Sequence, residues 1–494
     1  MIGTGHGKNK RTGALLLLLL FILGLTCLAL PEAAESGVAT AWVRRYDPGV
    51  GHHRMGSYPG TANAMVLDGQ GNIYVAGSSY KGSHSFATIK YSPDGQRLWV
   101  RSHFKRNGEP HAIALDGLGN VLVTGGIGFW WGEGPNHSDY ATVKYNPGGL
   151  RLWARTYDGK EAPPYIADWD EATAMAVDTL GNVYVTGTGT GTSLDIYYQN
   201  DCVTIKYGPD GRRLWLRRYN TGGYGDGAAA IAVDRQGNIY ITGLSYRGYY
   251  TSGFLTIKYS SDGHLLWVSR YNGPGSGTGT GKAIAIDSQG NVLVTGYSWG
   301  AETGYDYTTI KYSPDGEEIW VARYDGPGHG DDQPSAIAVD SRDNIYVTGK
   351  SKNSADTSWN SDDYATIKYS PEGEELWVRR YDGPGHGYDC ATAMALDTQG
   401  NVYVTGTSEG VEDVWSGWCS FDYATVKYSP AGETLWIMRY DGPGNTSDSA
   451  SAIAVDGQGN VYVTGTSVSY NSGGYISDSS YVTIKYIQTP RDGR

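Results

Sequence analysis

Two things are missing from this chain at first reading: helical periodicity and cysteine. Apolar residues alternate in short runs and do not recur at three- and four-residue spacing, which excludes a helical bundle or an α/β layer fold. Cysteine occurs 4 times in 494 residues. Cys27 falls in an N-terminal apolar run, leaving Cys202, Cys390 and Cys419. That odd number leaves at least one thiol unpaired within the chain, and the spacing fits no zinc motif. There is no G-x-S-x-G elbow, no phosphate-cradling loop and no dinucleotide fingerprint, so the motif-bearing hydrolase and nucleotide classes drop out. The acidic loop SADTSWNSDD at 354–363 lacks the ordered D-x-D-x-D-G calcium pattern. His52, His53, His329 and His386 have no H-x-x-x-H spacing, and the Gly-Pro-Gly beside the last two reads as a turn. No catalytic residue, metal ligand or cofactor is therefore assigned.

Net charge is −12, a poor basis for gripping phosphate backbones, so nucleic acid is not an expected partner. At the N-terminus, Lys8, Lys10 and Arg11 precede an apolar run over residues 14–30. A basic start, an apolar stretch and then small and polar residues read as a secretory signal or an uncleaved anchor. The remaining chain holds no second apolar run of that length. The expected location is outside the cytoplasm, secreted or in the cell envelope, with membrane contact only through an uncleaved anchor.

What the chain does contain is repetition. The phrase ATAMALDTQGNVYVTGTS at 391–408 recurs, and its Asp returns as Asp68, Asp116, Asp178, Asp234, Asp287, Asp340, Asp397 and Asp456. Repeats of this length signal solenoids or propellers. Each copy has four alternating segments of the types AIAVD, VYVTG, YATIKY and LWVRRY, separated by turn-forming D-x-x-G-N and S-P-D-G. Four antiparallel strands repeated around a ring make a propeller blade. The last copy ends after its third segment, whereas AWVRRYD at 41–47 is a fourth segment with nothing repeated before it. The expectation is an all-β, eight-bladed propeller of four-stranded antiparallel blades, with the N-terminal strand (41–47) completing the last blade. The first segment of each copy lines the channel and is expected to be free of Lys and Arg. The expected layout is 1–30 signal or anchor, 31–40 linker, and 41–494 a single domain with repeats starting near 61, 111, 172, 228, 282, 335, 391 and 450.

The units DYATIKYSPDGEELWVRRYDGPG and AIAVDGQGNVYVTGTS resemble the bacterial SBBP β-propeller repeat, from about residue 41 to 486. The resemblance implies secreted or surface proteins and supplies no catalytic residues to carry over. The family name implies seven blades, where this chain repeats eight times.

What recurs in every copy is framework, and a functional site is expected where the symmetry breaks. Trp42, Trp99, Trp153, Trp215, Trp267, Trp320, Trp377 and Trp436 open the fourth segment and read as packing between blades. The Lys of segment three and the Arg of segment four read as stems packed between blades with heads on carboxylates or water. The recurring Asp reads as a turn cap. Insertions fall only in the loop between segments two and three and in the link between copies, which share one face of an up-and-down blade. The other seven Trp lie there. Trp130, Trp131, Trp299, Trp359, Trp415, Trp418, Tyr197 and Tyr250 are the candidate ligand-binding residues, with flat rings for sugar or peptide. The plainer reading is that long loops need small cores of their own. Cys390 and Cys419 lie at the same face, where a disulfide would staple a loop. These residues point to a non-catalytic binding or scaffold module for an extracellular polysaccharide or surface protein. The alternatives are a glycoside hydrolase or lyase with a carboxylate pair on that face, and a purely structural envelope protein.

Overall fold

The computed structural model describes residues 37–47, 60–80, 84–129, 137–159, 168–191, 200–222, 224–248, 251–274, 278–353, 361–411, 420–443, 447–470 and 476–488. Every regular element among them is a strand. The strands associate in four-stranded antiparallel sets, one per sequence repeat. In the first repeat Ala62–Leu67, Ile73–Tyr80, His84–Tyr91 and Arg97–His103 pair in chain order. Repeats three to six follow the same order. The second repeat gains a short strand, Asp168–Trp169, parallel to His137–Tyr145. The seventh and eighth join into an eight-stranded sheet through a single parallel bridge, Phe421 to Ser447.

Within each set the two middle strands are buried on both faces, and they carry the core in residues such as Val402, Val404, Ala424 and Val426. That is why VYVTG and YATIKY read as nearly continuous runs of apolar and β-branched residues. The first strand is half-buried and rich in alanine, as in EATAMAV at Glu171–Val177. Each turn after it is closed by its aspartate. Asp397 Oδ1 accepts the backbone N–H groups of Gln399 and Asn401, and Oδ2 accepts the Asn401 amide at 2.7 Å and the Tyr403 hydroxyl at 2.9 Å. Both oxygens cap backbone or framework side chains, as expected of an Asx turn.

Neighbouring sets interlock through the fourth-strand tryptophan. Trp377 Nε1 donates to the Pro430 carbonyl in the next repeat's hairpin turn, 3.2 Å away, and Trp42 does the same to Pro93 at 3.1 Å. The turn's glycine must lie flat beneath the indole. A Cβ on Gly432 would come within 3.0 Å of the Trp377 ring, and Gly432 adopts φ 84°. Arg379, two residues after Trp377, lies over the ring and donates to the Gly432 carbonyl. The lysine of strand three reaches the same turn: Lys368 Nζ donates to the Pro430 carbonyl at 3.0 Å. The second arginine meets carboxylates, as in Arg323 with Asp306 at 2.6 Å and Arg439 with Asp422 at 2.6 Å. The recurrent Lys and Arg are thus bound into the framework.

The first and last described strands pair. Strand Val38–Tyr46 pairs antiparallel with Ile476–Gln488, placing Trp42 opposite Lys485 and Tyr46 opposite Tyr481. Residues of the eighth repeat also reach the first. Tyr481 Oη donates to the Ser78 carbonyl at 2.6 Å, and Lys485 Nζ to the Pro93 carbonyl at 3.2 Å. Because the eighth repeat takes its fourth strand from elsewhere in the chain, it has no turn like that at Pro430 to offer the seventh. Lys427 turns to the Gln488 amide oxygen instead, and the buried Trp436 Nε1 has no acceptor among the described residues.

Candidate functional site

A second set of contacts runs along the first strands, and it is where the symmetry breaks. Every first strand contains a one-residue bulge near its start, for instance between Ala62 and Ala64 and between Ala391 and Ala393. Bulges re-aim side chains and gather beside functional sites. The bulged residues are Asn63, His111, Thr173, Ala229, Lys282, Ser335, Thr392 and Ser451. Five make the same bond, from the side chain to a backbone carbonyl of the next repeat. Asn63 donates to Pro110 at 2.7 Å, Thr173 to Ala228 at 2.8 Å, Thr392 to Ala450 at 2.7 Å, and Ser335 to Ala391. Ser451 of the eighth repeat donates to Ala62 of the first at 2.6 Å.

Three bulges depart from this rule. Ala229 has no polar group to offer. His111 Nε2 meets Glu171 Oε1 of the next repeat at 2.9 Å, with both side chains partly exposed. Burial lowers the His111 pKa, but the hydrogen bond and charge of Glu171, helped by Glu109, outweigh it and hold the imidazole above its ordinary value. Lys282 is exposed, and its ammonium lies 5.6 Å from the centre of the Tyr297 ring. Desolvation by the surrounding protein draws its pKa below the usual lysine value. Lys282 corrects the expectation of first segments free of Lys and Arg: strand Gly279–Ile286 begins earlier than the AIAID phrase and includes it.

Beside Lys282 lies the one candidate ligand-binding residue that the described part of the chain contains. Trp299, at the end of Val292–Gly300, packs edge-on against Tyr305 at 5.1 Å, and Tyr297 meets Tyr305 at 5.0 Å. All three are half-buried; burial, with Tyr305, Tyr246 and Asp331 adding repulsion, raises the Tyr297 pKa, and Tyr246 of the preceding repeat is 39% exposed. The rings therefore form a small core for this loop pair and still keep exposed faces. Trp130, Trp131, Trp359, Trp415, Trp418, Tyr197 and Tyr250 lie outside the described residues. So do Cys419, the proposed partner of Cys390, and the histidines His52 and His53. Cys390 is half-buried, and Cys202 is fully buried with a thiol pushed up to about 12 by burial.

The links between repeats are the other part of this face. In DGPGHG at 325–330, His329 takes φ 47° and its Nδ1 lies 2.6 Å from Asp325 Oδ2; His386 and Asp382 repeat the arrangement at 2.8 Å. Each histidine closes its own turn. At or just before the start of the following strand lies a buried aspartate whose carboxylate ties the link to the second strand of that repeat. Asp332 takes Gly326 N–H at 2.6 Å and Lys352 N–H at 2.9 Å. Burial pushes the Asp332 and Asp389 carboxyls up to about 6.

Among the described residues no helix is long and apolar enough to cross a membrane; the apolar run at 14–30 lies outside them.

Comparison with known proteins adds the family. The model of the SBBP β-propeller repeat matches residues 170–195, 214–248, 266–302, 319–354 and 439–471. An uncharacterized WD repeat-containing protein, L264, of Acanthamoeba polyphaga mimivirus is 26% identical over 422 residues, covering 70% of this chain and 28% of that protein. The chain thus spans under a third of that relative's length. Among solved structures, Sqt1 from Chaetomium thermophilum is similar at TM-score 0.49 and 8% identity, covering 87% of this chain and 97% of that one. The WD40 domain of SCAP from fission yeast is similar at TM-score 0.44 and 10% identity, covering 90% and 98%. Four-stranded antiparallel sheets in register with the sequence repeats, and five matches spread along them, make this chain a carrier of the β-propeller repeat of the SBBP family.

Proposed function

We propose that the chain closes into an eight-bladed propeller and acts, outside the cytoplasm, as a non-catalytic binding or scaffold module that holds a polysaccharide or a protein on its elaborated face. Closure is supported by the pairing of Val38–Tyr46 with Ile476–Gln488 and by the Ser451 bond to Ala62, which continues around the first strands the bond already made by Asn63, Thr173, Ser335 and Thr392. Location outside the cytoplasm is motivated by residues 8–30 of the sequence alone.

The observation that carries the binding reading is the patch of Tyr246, Tyr297, Trp299 and Tyr305 with Lys282 beside it. Aromatic faces left partly in water at a loop face offer stacking area to a sugar ring or an extended peptide. The test is a glycan array with a parallel pull-down from surface proteins, using the chain from residue 37. Trp299→Ala and Tyr246→Ala are each expected to weaken a captured ligand about tenfold or more, as hot-spot aromatics do, with the thermal transition preserved. Binding equally tight in both variants contradicts the reading. Turnover of a captured glycan would move the protein to the carbohydrate-active class.

A further inference from the structure

Three consecutive seams between repeats bring together the same trio of carboxylates. Asp306 lies near the start of strand three of the fifth repeat (Gly304–Tyr312), Asp325 follows its fourth strand, and Asp332 precedes the first strand of the sixth. Each contributes an oxygen within 4.8 Å of the others. Asp363, Asp382 and Asp389 repeat this at the next seam, and Asp422, Asp441 and Asp448 at the one after. In each trio one arginine neutralises one carboxylate: Arg323 on Asp306, Arg380 on Asp363, Arg439 on Asp422. With His329 and His386 neutral, three carboxylates against one guanidinium leave two formal negative charges at each seam.

The oxygens not used by the framework point to a missing partner. Asp306 Oδ2 is taken by Arg323 and Asp325 Oδ2 by His329, yet Asp306 Oδ1 and Asp325 Oδ1 are buried with no hydrogen-bond donor. Asp306 is 4% exposed and Asp389 0%, and Asp389 Oδ1 is likewise without a donor. A buried, unpartnered carboxylate oxygen is costly unless a cation or a proton satisfies it.

The molecule supplies its own control. At the seam between repeats three and four the link residue is Asn220 instead of Asp, and its amide donates to Asp201 Oδ1 at 2.5 Å, while Arg218 holds Asp201 Oδ2 at 3.0 Å. Asparagine therefore closes the position that stays open at Asp306 Oδ1 and Asp422 Oδ1. Asp226, the third member there, keeps one orphan oxygen, so the contrast rests on Asp201 against Asp306 and Asp422; at the middle seam Asn353 donates to Asp363 Oδ1 at 2.9 Å, and the open oxygen is Asp389 Oδ1.

We propose that the Asp306–Asp325–Asp332 cluster and its two counterparts each bind a divalent, oxygen-preferring cation of the Ca²⁺ class, which ties strand three of one repeat to the link and to the first strand of the next. Hard cations of this class take six to eight oxygens, so three carboxylates would be joined by carbonyls or water. Two uncompensated negative charges match one divalent ion. The ions would act as staples between repeats, independently of what the aromatic patch holds.

The test uses the full chain, stripped with a chelator and re-equilibrated with about 1 mM CaCl₂, the range of extracellular calcium modules. Bound metal is measured by mass spectrometry and thermal stability by calorimetry, with MgCl₂ and NaCl as controls. The expected result is about three calcium ions per chain and a clear calcium-dependent rise in Tm. Asp382→Asn alone should lose about one ion, and Asp325→Asn, Asp382→Asn and Asp441→Asn together should remove nearly all binding and the Tm response. Asn220 shows that the fold accommodates asparagine there. Should the triple variant fail to fold, the loss of one ion in Asp382→Asn decides. No bound calcium in the parent chain, or full binding retained in Asp382→Asn, overturns the proposal.

Discussion

At Gly373 the backbone takes φ 89°, and a Cβ would come within 2.7 Å of the Trp320 indole. Gly400 shares the positive φ, at 81°, but a Cβ there meets nothing nearer than Pro430 at 3.6 Å. The pair separates backbone strain from tryptophan docking. Gly400→Ala is expected to cost about 1 kcal/mol, the strain of a left-handed alanine. Gly373→Ala should cost about 2–4 kcal/mol, because the indole must also give up part of its packing and its bond to Pro371. Equal costs in urea denaturation would show that the indole does not depend on the bare turn. At this scale the sequence was informative: Asp397 and its seven counterparts were readable as turn caps, and Trp377 as packing between repeats, since residues fixed in every copy do framework work. His111 and Lys282 were harder to find. The bulge that aims them is a matter of register between two strands. Their only signal was a charged residue where other copies carry Ser, Thr, Asn or Ala.

The strand Val38–Tyr46 is the element on which the others depend. It covers what would otherwise be a bare edge on Ile476–Gln488, and it brings Trp42 against Tyr91 and Tyr462 at 6.5 and 6.3 Å and Tyr46 against Tyr481 at 5.4 Å. An unpaired edge of that length invites association with another chain. A variant lacking residues 38–46 is expected to lose at least about 3 kcal/mol, the scale of a single buried tryptophan, and to aggregate in size-exclusion chromatography. An unchanged unfolding midpoint with a monomeric profile would mean the strand is dispensable. Its pairing was legible because AWVRRYD duplicates the tail of a repeat whose last copy lacks one. The aspartate trios were not legible. Asp306, Asp325 and Asp332 come from two repeats and the link between them, and only the packing of neighbouring sheets makes them one group.

For the molecule as a whole, the constant and the variable parts of the repeats divide between the two ends of the sheets. At one end are the constant turns, with Trp, Lys and Arg docked on the next repeat. At the other are the bulges, the links and the aromatic loops, where copies differ. The proposed ring would make this division useful, because each repeat would be held on both sides and its variable loops would be free to diverge without exposing a core. Closure is therefore the decisive property of the fold. The most direct measurement is single-particle electron cryo-microscopy of the chain viewed along the channel. The predicted result is a closed ring of eight radial sheets with no gap between the one containing Val461–Tyr470 and the one containing Ile73–Tyr80. An open arc, a linear stack or a different number of sheets would contradict it.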